Sequence, residues 1–147
     1  MKSNTSIQVF CEINPSEDIE KVKTVIFNLF PELKIKIKGN AISGNSNDLE
    51  LLSKVLASIK NRKIKNVFLR ILNLNIRDNS TWFYLNKQAA FVNVVALCNE
   101  ADESALGPVK VVLESNDIEE TIETIISYLF TPRRSKNRSN LITFFKF

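Results

Sequence analysis

The sequence contains no histidine. That removes the commonest general base and the commonest zinc ligand. Its three glycines, Gly39, Gly44 and Gly107, are too scattered to build a phosphate-cradling loop. Two cysteines, Cys11 and Cys98, stand without partners at metal-ligand spacing, and no Ser or Cys sits in a nucleophile motif. Carboxylates are numerous, but they fall at helix starts and in loops, where capping accounts for them. No apolar run reaches the ~18 residues of a membrane span. Met1-Lys2-Ser3-Asn4 lacks the apolar core of a secretion signal, so a cytoplasmic protein is expected. Nothing here asks for catalysis, and no catalytic residue, cofactor or metal ligand is assigned. In that setting Cys11 and Cys98, both on predicted strands, are expected as buried reduced thiols, with a disulfide open if the strands are neighbours.

What is present is ordinary for a globular protein: 44% hydrophobic and 24% charged residues. A chain of 147 residues fits one domain, burying roughly 70% of the surface its unfolded form exposes. The charge is uneven. Residues 1–130 hold 15 Lys and Arg against 16 Asp and Glu, whereas residues 131–147 hold five cations and no acid. The expected division is therefore a domain over residues 1–132 and a tail over 133–147. That tail is first basic, with Arg133 and Arg134, and then aromatic, ending in Phe144, Phe145 and Phe147.

Along the chain, periodicity alternates between two and 3.6. Ile7, Val9, Cys11 and Ile13 face one way and Gln8, Phe10 and Glu12 the other, which predicts a half-buried strand. Ser16 can cap a helix whose apolar face is Ile19, Val22, Ile26, Leu29 and Phe30, stopped by Pro31. Leu33 to Lys38 reads as a strand with Lys34, Lys36 and Lys38 on its polar face, either solvated or in contact with phosphate. Ala41 to Ser43 is a short return strand ending before Gly44. Helices follow from Asn47 or Asp48 to Ile59, and from about Val67 to Leu74. Pro108 opens a last strand, and Ser115 or Asn116 caps a final helix through Phe130.

Two stretches bear on function. From Lys60 to Arg77 there are six basic residues, Lys60, Arg62, Lys63, Lys65, Arg70 and Arg77, and no acid. Cations favoured at a helix end explain part of this run, and a nucleic-acid footprint explains all of it. The second stretch is Asn79 to Pro108. Trp82 to Leu85 and Phe91 to Leu97 have strand propensity and suggest a hairpin. Between them, Asn86, Lys87 and Gln88 are either a connector or short helical turn with Lys87 in water, or a polar patch for RNA phosphate or sugar. The acidic segment from Asn99 to Gly107 reads as a solvated loop.

Three segments are familiar: Pro15 to Asp18, Thr81 to Ala90 with its Leu-Asn-Lys-Gln-Ala-Ala run, and Glu103 to Pro108. They resemble a family of short archaeal proteins of unknown function, described as predicted RNA-binding, with an exosome-associated branch. The resemblance covers about residues 6–130. It departs at Asn93 and at Ala96-Leu97-Cys98, where a glycine and polar residues are expected, and in the basic tail. It implies an α+β two-layer sandwich, with a mainly antiparallel sheet and helices on one face. That fold is like the ribosomal protein that holds the small rRNA of the large subunit. It also implies a non-enzymatic role on structured RNA, ribosomal or exosome-associated.

Two functional expectations follow. The first is an RNA-binding module using Lys60, Arg62, Lys63, Lys65, Arg70, Arg77, Asn86, Lys87, Gln88, Arg133 and Arg134, with backbone- or shape-directed, salt-dependent contacts. The second is a protein-interaction or homodimerising module docking through Leu141 to Phe147, favoured by the near-neutral net charge of the domain.

Overall fold

The alternating apolar residues Ile7, Val9 and Cys11 are all buried in β1 (Thr5–Glu12), at the middle of a six-stranded sheet. A computed structural model describes residues 4–131. The remaining strands are β2 (Ile35–Lys38), β3 (Ala41–Ser46), β4 (Ser80–Leu85), β5 (Leu97–Cys98) and β6 (Val109–Ser115), ordered β2-β3-β1-β6-β4-β5 with every pairing antiparallel. The helices are α1 (Ile19–Leu29), α2 (Ser53–Asn61), α3 (Lys65–Leu74), α4 (Lys87–Phe91) and α5 (Ile118–Phe130). The fold is α+β, as expected.

The core lies between one sheet face and the helices. Side chains alternate across a strand, and directly opposed residues share a face. Cys11 opposes Val109, which opposes Leu85; Val9 opposes Val111, which opposes Phe83. All six are buried, and Val22, Ile26, Leu56, Ile59, Phe68, Leu72, Ile122 and Ile125 meet them from the helices. Phe68 and Phe83 pack edge to face at 5.0 Å between ring centroids. Asn75 and Thr81 tie α3 to β4, the Asn75 amide donating to the Trp82 carbonyl at 2.9 Å and the Thr81 hydroxyl to that of Leu72 at 2.6 Å.

Local chemistry sets the element ends, with several departures from expectation. Asp18, not Ser16, caps α1, its carboxylate accepting from the Glu20 N–H at 2.9 Å. Asp117 caps α5, accepting from Glu120, while Ser115 accepts from the Asp117 N–H. β3 runs on through Gly44 to Ser46. A Cβ at Gly44 would sit 2.8 Å from both the Leu33 side chain and the Lys34 carbonyl oxygen, so glycine there permits close packing and does not stop the strand. The acidic segment forms a 3-10 turn over Ala101–Glu103, closed by a capping box between Glu100 and Glu103.

The predicted second hairpin strand, Phe91 to Leu97, is not formed; α4 and a two-residue β5 replace it. Asn86 starts the helical turn by accepting from the Ala89 N–H at 2.8 Å. Asn93 then takes a left-handed conformation, φ +64°. Glycine and asparagine tolerate that region best, so Asn93 stands in for the glycine expected there.

Cys11 and Cys98 are free and buried. They lie three strands apart and their registers place them on opposite sheet faces, which excludes a disulfide. Burial pushes the Cys11 thiol up to about 11 and outweighs the opposing charge of Lys87; burial also raises Cys98. Neither thiol is an activated nucleophile.

Lys63 is also left-handed, φ +60°, just past the end of α2, where the Ile64 N–H reaches back to the Ile59 carbonyl. This is a helix stop that ordinarily takes glycine. Lys63→Gly is expected to stabilise the protein by about 1 kcal/mol, read as a higher urea midpoint with an unchanged slope.

Candidate nucleic-acid interface

Lys87 is the centre of an internal joint, with Asn86 half-buried and Gln88 exposed beside it. Lys87 is 2% exposed. Its ammonium donates to the Leu106 carbonyl at 2.7 Å, the Glu12 carbonyl at 2.9 Å and Glu17 Oε1 at 3.0 Å. An ammonium has three hydrogens, and all three are used. The Ser104 hydroxyl donates to Gln88 Oε1 at 2.9 Å and accepts from the Lys87 N–H. The three segments that carry the family resemblance therefore meet here: Glu17 from the first, Asn86 to Gln88 from the second, Ser104 and Leu106 from the third. The expectation of Lys87 in water is corrected, because three distant acceptors draw the chain inward. A shallow pocket beside the joint is lined by Asp18, Lys21, Val25, Phe91 and Leu106 among others.

Glu17 gives the joint a pH dependence. Burial pushes its carboxyl up, but hydrogen bonds from the Asn14 backbone, Lys87 and the Asn14 side chain, with the charge of Lys87, outweigh that. The net result lies below the ordinary value of 4.5. A depressed folded pKa contributes stability that is complete above 4.5 and lost as pH falls through the lower folded value. Glu17→Gln should therefore unfold at lower urea than wild type at pH 7, and the two should converge as pH falls through the depressed folded value of Glu17. Equal midpoints at pH 7 would show that the pair contributes nothing.

The basic run divides between the helical side, which holds five of its six residues, and the sheet, which holds Arg77. Lys60 donates to the Thr131 carbonyl at 2.7 Å and the Tyr128 carbonyl at 3.3 Å, closing the end of α5. Lys65 lies 4.5 Å from the Phe130 ring centroid. Arg62 and Lys63 project from the corner between α2 and α3, and Arg70 is exposed on α3. Arg77 is elsewhere, at the turn before β4, with its guanidinium 5.9 Å from the Trp82 ring. Arg133 and Arg134, with the docking segment 141–147, lie outside the described residues.

The other sheet face brings together residues that are scattered in the sequence. Lys36 opposes Ser43, which opposes Phe10; Phe10 opposes Lys110, which opposes Tyr84. The adjacent row runs Asn45, Gln8, Val112, Trp82. Lys38 lies one row further along β2, opposite Ala41 and then Glu12. Phe10, on a central strand, is 46% exposed. Among the described residues, the core-forming helix faces all pack on the opposite side of the sheet, and this face is open except at its β5 edge, where Cys98 is buried at the end of the Phe10–Lys110–Tyr84 row. Lys110 is surrounded by Phe10, Tyr84 and Trp82, its ammonium 5.5 Å from the Trp82 ring centroid. Two cations thus attend one indole, a geometry favoured by the ring quadrupole. The described ion pairs, Lys23–Glu20 and Lys87–Glu17, involve none of these lysines. Alternation placed Phe10 opposite the core face in the sequence; strand order was needed to bring Lys110, Tyr84 and Trp82 beside it.

The structure defines an α+β protein with an open antiparallel sheet backed by helices and with cations and aromatic rings on the face turned away from them. A family model described as RNA binding matches residues 6–115. The chain is 42% identical over 114 residues to a UPF0201 protein of Methanothermobacter thermautotrophicus, covering 76% of this chain and 83% of that one. A UPF0201 protein of Metallosphaera sedula is 30% identical over 137 residues, 91% and 92% of the two chains. The crystal structure of a UPF0201 protein from Methanococcus jannaschii superposes with a TM-score of 0.71 at 26% identity, covering 89% of this chain and 96% of that one. The chain belongs to this RNA binding family, among the archaeal UPF0201 proteins.

Proposed function

We propose that this protein binds RNA, without catalysing a reaction, on the uncovered face of its sheet. The observation that carries the reading is Trp82 with Lys110 and Arg77 over its ring, continued across the sheet by Phe10, Lys36 and Lys38. The lysines and arginine supply phosphate contacts, and the face holds them against two carboxylates, Glu12 and Glu114, at its ends. The family description supports RNA as the polyanion. Arg62, Lys63 and Arg70, on the helical side, add to the attracting field at longer range. Ribosomal or exosome-associated RNA is the target that the family resemblance brings in.

Fluorescence anisotropy of the full chain with labelled RNA over a salt series tests this. Four phosphate contacts predict that log K falls with log salt with a slope of roughly −3. Competition by ribosomal RNA against unrelated RNA of equal length checks the target. Absence of binding at low salt, or affinity independent of salt, would sink the proposal.

A further inference from the structure

We infer that the uncovered sheet face takes single-stranded RNA, with bases stacked on Phe10, Tyr84 and Trp82, in place of the structured RNA expected from the sequence. This rests on the RNA-binding reading above and specifies its ligand.

The three rings are laid out as a platform. Phe10 and Tyr84 sit in one cross-strand row, two strands apart, with Lys110 between them. Adjacent strands are about 4.8 Å apart, so the two ring positions are separated by roughly 10 Å. Trp82 lies two residues along β4 from Tyr84, roughly 7 Å away in the other direction. Lys110 is thus central to three ring positions, and a phosphate drawn to it leaves the flanking bases over rings. Duplex RNA offers no free base faces to such a platform; its exposed features are 2′-hydroxyls and phosphates. Single strands offer both base faces and edges.

The polar neighbours fit the same ligand. Gln8 and Asn45 continue the Trp82 row and present amides that can donate to or accept from base edges. Lys36 and Lys38 lie on β2, at the far side. From β4 to β2 there are four inter-strand gaps, roughly 19 Å, which accommodates about three splayed nucleotides. Glu114 and Glu12 bound the two rows at opposite ends of the strands. Their charge repels a backbone running along the strands and leaves the path across them favoured.

The test measures full-chain anisotropy with a labelled RNA strand of about twenty nucleotides, free and annealed to its complement, alongside quenching of Trp82 fluorescence. Tighter binding of the single strand by at least about 10-fold is expected, with quenching. Phe10→Ala and Tyr84→Ala should each weaken it by roughly 5- to 100-fold, while the ring-keeping Phe10→Tyr and Tyr84→Phe stay near wild type. Thermal melts confirm that the variants fold. Equal or tighter duplex binding, or full affinity in both alanine variants, overturns the inference and leaves RNA binding standing. No binding of either RNA at low salt overturns both. Sedimentation of the same variants adds one outcome: a dimer that Phe10→Ala dissociates, without change in RNA affinity, assigns this face to a second copy and overturns the inference.

Discussion

Replacing Lys87 with alanine is expected to destabilise the protein by about 3–5 kcal/mol. For a chain of this length that lowers the melting temperature by roughly 10–15 °C. The substitution removes three hydrogen bonds at once and leaves the Glu17 carboxylate and the carbonyls of Glu12 and Leu106 without their buried donor. The cost comes from Glu17 losing its countercharge, although the Asn14 backbone and side chain still donate to it, and from the lost bonds to the two carbonyls. Lys87→Met keeps the aliphatic stem and separates packing from charge; it should lie between wild type and alanine. Pairing it with Glu17→Gln should recover part of the loss, since the orphaned charge is removed with its partner. The comparison also decides the role of Lys87 in RNA binding. If a Lys87 variant keeps the wild-type melting temperature yet loses RNA, the ammonium contacts phosphate and does not hold the joint together. If stability falls and the residual folded protein binds RNA normally, Lys87 is structural.

The elements were legible to different depths for physical reasons. β1 and β6 alternate strictly because one face is buried, and a period of two survives in the sequence. The helical stripes of α1 and α5 survive likewise. Phe91 to Leu97 misled because strand propensity describes a residue's fit to a pleated surface, while the decision there was made by backbone chemistry. Asn86 capped a turn and Asn93 reversed the chain. Lys87 misled because a lysine in a polar triplet is ordinarily solvated; its acceptors at Glu12 and Glu17 lie 75 and 70 residues away in sequence. The basic run from Lys60 to Arg77 splits at its end because sequence distance is not surface distance. The end of α5 takes Lys60 and Lys65, and the sheet takes Arg77. Conversely, Phe10, Lys110 and Tyr84 are scattered in sequence, and strand pairing alone puts them in one row.

That contrast sets the second large effect. Lys36→Gln, Lys38→Gln and Lys110→Gln together should reduce RNA affinity on the order of 100-fold at low salt, and should flatten the salt slope by about 2. Arg62→Gln, Lys63→Gln and Arg70→Gln together remove the same charge from the helical side. On the sheet-face reading these change affinity by a small factor and leave the slope nearly intact, since a distant charge acts through the screened field and releases no counterion. The comparison holds net charge fixed between the two triple variants, so a purely global electrostatic attraction predicts equal losses. Binding directed by the basic run predicts the reverse order. Neither set includes Lys60, Lys65 or Lys87, whose packing and hydrogen bonds would confound affinity with stability. The slope is the sharper readout of the two. It counts ions displaced at the contact, and a surface that touches phosphate cannot lose three cations and keep its salt dependence.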